Sequence, residues 1–372
     1  MLKPSKKGWH KVTVLNLVRN DLRDFTGYAS ARKTGLEGDI WLNANESPWP
    51  ALSDTGLNLN RYPQQQPIAL RVRMAELYTV SAEQLFITRG SDEGIDLLMR
   101  SFCRAGQDGV VICPPTFGMY AVCARLQATN VYEASMLDAG DHWQLDKNKL
   151  LKLFAQQSVK IVFICSPANP TGQAVPISTI KEILKKINGR ALLVVDEAYI
   201  EYSDQLSIST LLSDFDCLVV LRTLSKAYAL AAARLGAVLA HPTVIKLLSA
   251  VAPPYPIPSP TAELALAALS DDSIKMLHQR MASIKLERQQ LMNHLSELSN
   301  VLSVYPSDAN FLLVRFQNCQ HVFERLLHAG IVVRDMRSNP ILHNALRISI
   351  GTSEENTILR QVLLEVCSES KV

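Results

Sequence analysis

Short runs of apolar and β-branched residues recur along the chain at helix-length intervals: LFIT (residues 85–88), VVIC (110–113), KIVFIC (160–165), ALLVVD (191–196), CLVVLR (217–222) and GAVLA (236–240). Runs this short, with no polar alternation, fit strands buried on both faces rather than strands with one wet side. Amphipathic stretches fill the intervals, among them residues 92–103 and 177–187. Such alternation predicts an α/β domain, a largely parallel sheet covered by helices on both faces, over residues 45–265.

The pattern breaks at PPYPIPSP (253–260), which favours extended backbone and suits a boundary. Residues 261–298 read as long helices, rich in Ala, Leu, Glu, Lys and Gln. NFLLVRF (310–316), a short helix near Val322, IVVRDM (331–336) and ALRISIG (345–351) follow. They predict a smaller α+β domain over 266–372, with residues 1–44 as an N-terminal arm and part of that small domain. The sequence contains no internal repeat and no low-complexity region.

Composition narrows the class. Hydrophobic residues make up 48% of the 372 positions and charged residues 20%, the balance of a soluble protein with a large core. A net charge of +3 is too small for this size to indicate nucleic acid or membrane as a partner. Lys3, Lys6, Lys7 and Lys11 crowd the N-terminus without an apolar run behind them, which reads as a frayed tail rather than a secretory signal. No stretch reaches the ~20 apolar residues of a bilayer span. The seven cysteines form no CxxC pair, so no zinc site or disulfide framework is expected. Cys113, Cys165 and Cys217 lie in or beside strand-like runs, as small buried hydrophobes do. Reduced thiols imply a cytoplasmic setting.

Four segments carry candidate chemistry. In TLSKAYALAAARLG (223–236), Lys226 directly follows a strand, at the sheet edge where open α/β proteins bind ligands. With Ser225 and Arg234 it fits a ligand bearing a carbonyl and a phosphate: the amine bonds the carbonyl carbon while hydroxyl and guanidinium hold the phosphate. In VVDEAYIEY (194–202), Asp196 ends a strand and suits a pyridinium nitrogen, with Tyr199 placed for a phenolate oxygen. CSPANPTGQ (165–173) is a Pro- and Gly-punctuated loop that points Asn169 into a cleft. In TRGSDEGIDLLMRSF (88–102), Gly90, Ser91 and Asp92 open a helix whose free N–H groups suit an anion. Alone, each segment also admits a plainer reading: a solvated lysine, a metal-binding or capping aspartate, an ordinary turn, an ordinary N-cap.

Read along the chain as the phosphate loop of 88–102, the aromatic PPTFGMY (114–120), the NPTG loop, DEAY and then Lys226 with Arg234, the segments resemble the fold-type I pyridoxal-phosphate enzymes, the aspartate-aminotransferase-like superfamily. Within it, WLNANESPWP (41–50), NRYPQQQP (60–67), RGSDEGIDLLMRSFC (89–103), DEAYIEY (196–202), LRTLSKAYALA (221–231) and LRISIGT (346–352) resemble the histidinol-phosphate aminotransferase family. GYASARKTGLEGDIWLNANE (27–46) resembles that family's N-terminal lead-in. The resemblance covers almost the whole chain.

It implies a large domain with a mostly parallel seven-stranded sheet, a smaller α+β domain, and pyridoxal 5′-phosphate as cofactor. Lys226 would bond the cofactor and shuttle the substrate's proton, Asp196 would pair with the ring nitrogen, and Tyr199 and Asn169 would reach the ring's 3-oxygen. Phe117 would stack on the ring. Ser225, Arg234 and the backbone at Ser91 and Asp92 would hold the cofactor phosphate. Tyr62 would reach that phosphate from the second subunit of a homodimer. Arg347 and Arg334 would receive the anionic groups of histidinol phosphate and 2-oxoglutarate, with Tyr28 a further phosphate contact and Asn45 part of the substrate site.

Two departures stand out: Ala168 replaces the first of two asparagines common before Pro in the NPTG loop, and Pro258 replaces a hydroxyl residue. Trp49, in an unusual segment, is placed to shape substrate entry. Two alternatives remain: a relative acting on aromatic or phosphorylated amino acids, and a non-enzymatic scaffold. The second is opposed by the presence of Lys226, Asp196, Asn169, Tyr199, Arg234 and Arg347 together.

Overall fold

The computed structural model describes residues 14–28 and 38–369. The lysine-rich tail at positions 3–11 and the middle of the lead-in segment, 29–37, lie outside the described residues.

Helix α1 (Ile68–Tyr78) precedes strand β1 (Leu85–Thr88), which leads into α2 (Ser91–Phe102). Then come β2 (Gly109–Ile112), α3 (Met119–Leu126), β3 (Asn130–Glu133) and a two-stranded ribbon, β4 (Leu137–Asp138) with β5 (Trp143–Gln144). Helix α4 (Lys147–Gln156), β6 (Val159–Cys165), α5 (Ile177–Ile187), β7 (Leu192–Asp196), β8 (Leu218–Thr223) and β9 (Gly236–Ala240) complete the large sheet. Its order is β1-β9-β8-β7-β6-β2-β3. Each apolar run identified from hydrophobicity is one of these strands. β3 escaped that reading because NVYE is a half-exposed edge strand with none of the apolar continuity of a central one. β9 runs antiparallel to both neighbours, β1 and β8, whereas the β8-β7-β6-β2-β3 pairings are parallel.

Helix α2 owes its place to local sequence. Gly90 supplies a left-handed φ of 77° before it, and Asp92 and Glu93 sit in its first turn, where the helix dipole favours acids. Its buried face presses on the sheet so closely that a Cβ on Gly94 would lie 2.8 Å from a Val238 methyl.

The long helices expected over 261–298 are α7 (Ser259–Ala268) and α8 (Asp271–Ser296), preceded by α6 (Pro242–Val251). A four-stranded antiparallel sheet follows, ordered β10 (Val301–Val304), β11 (Phe311–Phe316), β13 (Ala345–Ser349), β12 (Arg334–Asp335). Helices α9 (Cys319–His328) and α10 (Ser353–Glu369) cover it around a core that includes Leu291, Leu312, Val314, Val322 and Leu363.

Residues 14–19 of the N-terminal arm lie against the large sheet's core. Val14, Leu17 and Val18 are buried in the core of the large sheet, and Arg19 bonds the carbonyls of Ser101 and Arg100, from its N–H at 3.2 Å and its guanidinium at 2.8 Å. The described part of the arm up to Arg19 thus packs with the large domain, because its apolar side is matched by α6 and α2 rather than by the small sheet. All seven cysteines are buried free thiols. Among the described residues no helix is long and apolar enough to cross a membrane, and no group of His, Cys, Asp and Glu could hold a metal ion.

Candidate active site

The carboxyl ends of β1, β2, β6, β7 and β8 point the same way, and the segments leaving them line a cavity of about 540 Å³. Asp196 is the last residue of β7, and Lys226 follows β8 by three positions. Because β9 is reversed, its first residue, Gly236, and the preceding Arg234 lie at this same edge. Arg334, Met336 and Arg347 of the small sheet close the opposite side.

Asp196 is buried, and burial pushes its carboxyl up to about 6, although the Tyr120 hydroxyl and the Ala198 N–H both stabilise the charge. Tyr120 donates to Oδ2 at 2.8 Å and Ala198 donates to Oδ1 at 3.1 Å. Tyr120 in turn stacks on Phe163, centroids 4.8 Å apart, and meets Phe117 edge-on at 5.7 Å. Lys226 opens to the cavity, yet the surrounding walls withdraw enough water to hold its amine below the ordinary lysine range, and the Arg347 charge adds to this. Its Nζ lies 5.6 Å from the centre of the Tyr199 ring. Burial raises the Tyr199 phenol, which packs edge-on against Phe311 at 5.2 Å.

At one end of the cavity, the N-terminus of α2 meets Arg234. The guanidinium bonds Asp92 Oδ2 at 3.2 Å, Ser225 Oγ at 3.4 Å and the Ala231 carbonyl at 3.1 Å. Two glycines make this approach possible. A Cβ on Gly90 would lie 2.6 Å from Arg234 Nη2, and one on Gly236 would lie 2.7 Å from the Ser91 nitrogen. Free helix N–H groups, a hydroxyl and a guanidinium together form a cradle for a phosphate.

At the other end, Arg334 and Arg347 are direct cross-strand partners on β12 and β13. Like charges so placed repel, and burial together with the Arg334 charge holds the Arg347 guanidinium below its usual range. Arg347 donates from Nη1 to Asn169 Oδ1 and packs over Phe311, 5.2 Å from the ring centre. Its Nε is buried without a hydrogen-bond partner. Paired cations with unspent donors suit an anion.

The Aminotransferase class I and II family model matches residues 13–363. The histidinol-phosphate aminotransferase of Xanthomonas campestris pv. campestris (strain ATCC 33913) is 48% identical over 344 residues, 92% of this chain and 95% of that protein. The namesake enzyme of Xylella fastidiosa (strain 9a5c) is also 48% identical, over 95% of this chain and 97% of its own. The chain belongs to the histidinol-phosphate aminotransferase family. The fold agrees: the crystal structure of the Sinorhizobium meliloti histidinol-phosphate aminotransferase in complex with pyridoxal-5′-phosphate superimposes with a TM-score of 0.74. It is 24% identical and covers 83% of each chain.

Of the candidate residues in this member of the histidinol-phosphate aminotransferase family, Ser91, Asp92, Phe117, Asn169, Asp196, Tyr199, Ser225, Lys226, Arg234, Arg334 and Arg347 meet in the one cavity. Tyr62, Tyr28 and Asn45 do not line it. Tyr62 is half-exposed, stacks on Tyr255 at 4.4 Å and donates its N–H to Glu46 Oε1 at 2.7 Å. Tyr28 is exposed, and Asn45 holds a left-handed φ of 54°. Ala168 is buried and its N–H closes the loop on the Gln173 carbonyl at 2.8 Å, so no side-chain amide is needed there. Pro258 precedes the first turn of α7, a position that proline tolerates.

Sequence reasoning missed Tyr120, whose signal was its place one helical turn after Phe117 in PPTFGMY. It also missed Arg222. This arginine is buried at the end of β8, 2.6 Å from Glu201 and 3.5 Å from Glu197. A charged residue closing an apolar run was its only sign.

Proposed function

We propose that this chain transfers an amino group between L-histidinol phosphate and 2-oxoglutarate, giving imidazole acetol phosphate and L-glutamate, in cytoplasmic histidine biosynthesis. One observation carries this reading: a desolvated amine, Lys226, stands with a buried carboxyl, Asp196, between two separate cationic ends of one cavity. A reaction that holds a phosphorylated cofactor and an anionic substrate at once needs both ends.

The residues fit pyridoxal 5′-phosphate. Asp196 is buried with two neutral donors and, among the described residues, no cation in contact with it, and a pyridinium N–H would supply the opposite charge. The close approach that Gly90 and Gly236 allow brings Arg234 and Ser225 up to the start of α2, so that with Ser91 and Asp92 they would converge on a phosphate. Phe117 would cover one ring face, and Asn169 and Tyr199 would reach the 3-oxygen. When bound, the cofactor supplies an electron sink that withdraws the pair left on the substrate Cα.

The protein's own part is orientation and proton transfer. Lys226 Nζ, whose amine desolvation holds below the ordinary lysine range, takes the proton from the substrate Cα and later returns one. Arg347 and Arg334 receive the phosphate of histidinol phosphate in one half-reaction and carboxylates of 2-oxoglutarate in the other, so a single anion pocket serves both. Tyr62 completes the phosphate site of the second subunit in a homodimer, and Tyr28 and Asn45 join the substrate side there. Tyr62 is half-exposed within one chain, alongside exposed Trp49, Leu52 and Leu59, which is the surface such a partner would cover.

The test is a half-reaction. Adding L-histidinol phosphate alone to the cofactor-loaded protein should bleach the visible absorption of the bound cofactor, and 2-oxoglutarate should restore it. Bleaching by phenylalanine but not by histidinol phosphate, with 2-oxoglutarate restoring the band, would transfer the reading to aromatic amino acids.

A further inference from the structure

Directly behind the cavity, the same strand ends that deliver Asp196 and Lys226 carry a second cluster of charge that faces away from it. Side chains alternate along a strand: Thr223 lines the cavity, whereas Arg222 points to the opposite face and is buried there. Its Nη2 donates to Glu201 Oε1 at 2.6 Å, its Nη1 lies 3.5 Å from Glu197 Oε2 and 3.4 Å from Ser207 Oγ, and its guanidinium covers the Tyr78 ring at 4.4 Å. Glu197 is itself held by Ser207 Oγ at 2.5 Å and the Ile208 N–H at 2.7 Å. Tyr228 reaches the same cluster through its hydroxyl contact with Glu201.

Each member adjoins a residue of the site. Glu197 follows Asp196, Glu201 belongs to the short turn that begins after Tyr199, Arg222 is the next-to-last residue of the strand before Ser225 and Lys226, and Tyr228 lies two positions past Lys226. Two carboxyl groups share one guanidinium in a place with almost no water, and burial raises the Glu197 carboxyl above its usual range. Arg222 Nε, Glu201 Oε2 and Tyr78 OH find no hydrogen-bond partner among the described protein atoms. A buried network so incompletely satisfied is a poor source of stability, since well-packed apolar residues of similar volume often do as well or better.

We infer that Arg222, with Glu197 and Glu201, is a positioning residue: it locks the segment carrying Asp196 and Tyr199 to the segment carrying Lys226, so that acid, phenol and amine keep one mutual geometry. The fork of the guanidinium matters as much as its charge, because its two ends address the two carboxylates of one segment while Tyr228 couples them to the other. The activity readouts rest on the aminotransferase reading above; the exchange readout does not.

Two variants test this, each as full-length, cofactor-loaded protein. The first is Arg222→Lys, which keeps the charge and loses the fork. The second is the triple change Arg222→Met, Glu197→Gln and Glu201→Gln, which removes all three charges. Hydrogen exchange, melting temperature, kcat and KM for 2-oxoglutarate are measured for both, against the parent assayed alongside. The expected result for the triple variant is a melting temperature at or above the parent's, faster exchange confined to residues 197–202 and 223–230, and kcat lower by about 10²-fold at unchanged KM, the scale of an ångström-sized misplacement. Arg222→Lys should show the same pattern, weaker, and it decides the matter if the triple variant does not fold. Exchange in the two segments that matches the parent's, or kcat within about twofold of it in the folded variant, overturns the inference. An inactive parent with locally faster exchange in the variants would instead overturn the functional reading and leave the lock standing.

Discussion

The Tyr120 hydroxyl donates a 2.8 Å hydrogen bond to Asp196 Oδ2, and the tyrosine that makes it is wholly buried where α3 stacks it on Phe163 of β6. The carboxylate therefore keeps two donors and still titrates near 6, since desolvation outweighs both. Its folded value lies above its unfolded value, so between the two the folded protein holds a proton the unfolded chain has released. Stability of the cofactor-free protein then falls as pH rises, from about 4 to about 6, and the deficit persists above.

Asp196→Asn removes that deficit. Without cofactor, the variant should melt higher than the parent above pH 6, by the equivalent of about 1–3 kcal/mol, and the difference should vanish below pH 4. With cofactor the order should invert, because the partner of the pyridinium is gone. Parallel thermal melts across pH, with and without pyridoxal phosphate, read both signs; a pH-independent difference would refute the desolvation account.

Arg334→Gln leaves Arg347 without its cross-strand partner cation and the anion pocket with half its charge. We expect kcat/KM to fall about 10²-fold for both substrates, with KM carrying most of the change. A fall confined to kcat would mean that Arg334 acts on the chemistry rather than on the anion.

Gly236→Ala drives a methyl to within 2.7 Å of the Ser91 nitrogen and the Gly90 carbonyl carbon. Backbone on both sides cannot step aside, so the start of α2 must shift, at a cost of about 1–3 kcal/mol. The rise in melting temperature on adding pyridoxal phosphate should shrink in the variant. An unchanged rise would show that the helix N-terminus plays no part in holding the phosphate.

Tyr62→Ala and Lys226→Ala each disable the site from a different residue. If Tyr62 crosses between subunits, a mixed dimer has one site with both defects and one with neither, so co-expressed variants should regain activity that neither has alone. No recovery, with mixed dimers verified by mass, would put Tyr62 in its own chain's site.

Much of this was legible before any coordinates. Strands such as 192–196 and 236–240 announce themselves because burial on both faces leaves no room for polar residues. Asp196, Lys226 and Arg234 stood out for the complementary reason, as charges at the ends of such runs. The direction of β9 was not legible, because an apolar run reads the same in either orientation. Nor was the Arg334–Arg347 register, which depends on how a two-residue strand lies against its neighbour. Arg222 was hidden because a sequence does not say which face of a strand a charge occupies, and Tyr120 because its partner is 76 positions away.

The reversal of β9 also sets a ruler. Residues 224–235 form a closed excursion, pinned at its base by the Leu224 N–H bonding the Leu235 carbonyl at 3.0 Å, and both Lys226 and Arg234 ride on it. The span from amine to guanidinium is thus gauged within a single loop of one sheet, while Arg334 and Arg347 hang from another. Any breathing between the two sheets would lengthen or shorten the reach to the incoming substrate and leave the inner gauge untouched. The enzyme can trade one amino donor or acceptor for the next without ever letting go of the calibration on which the chemistry depends.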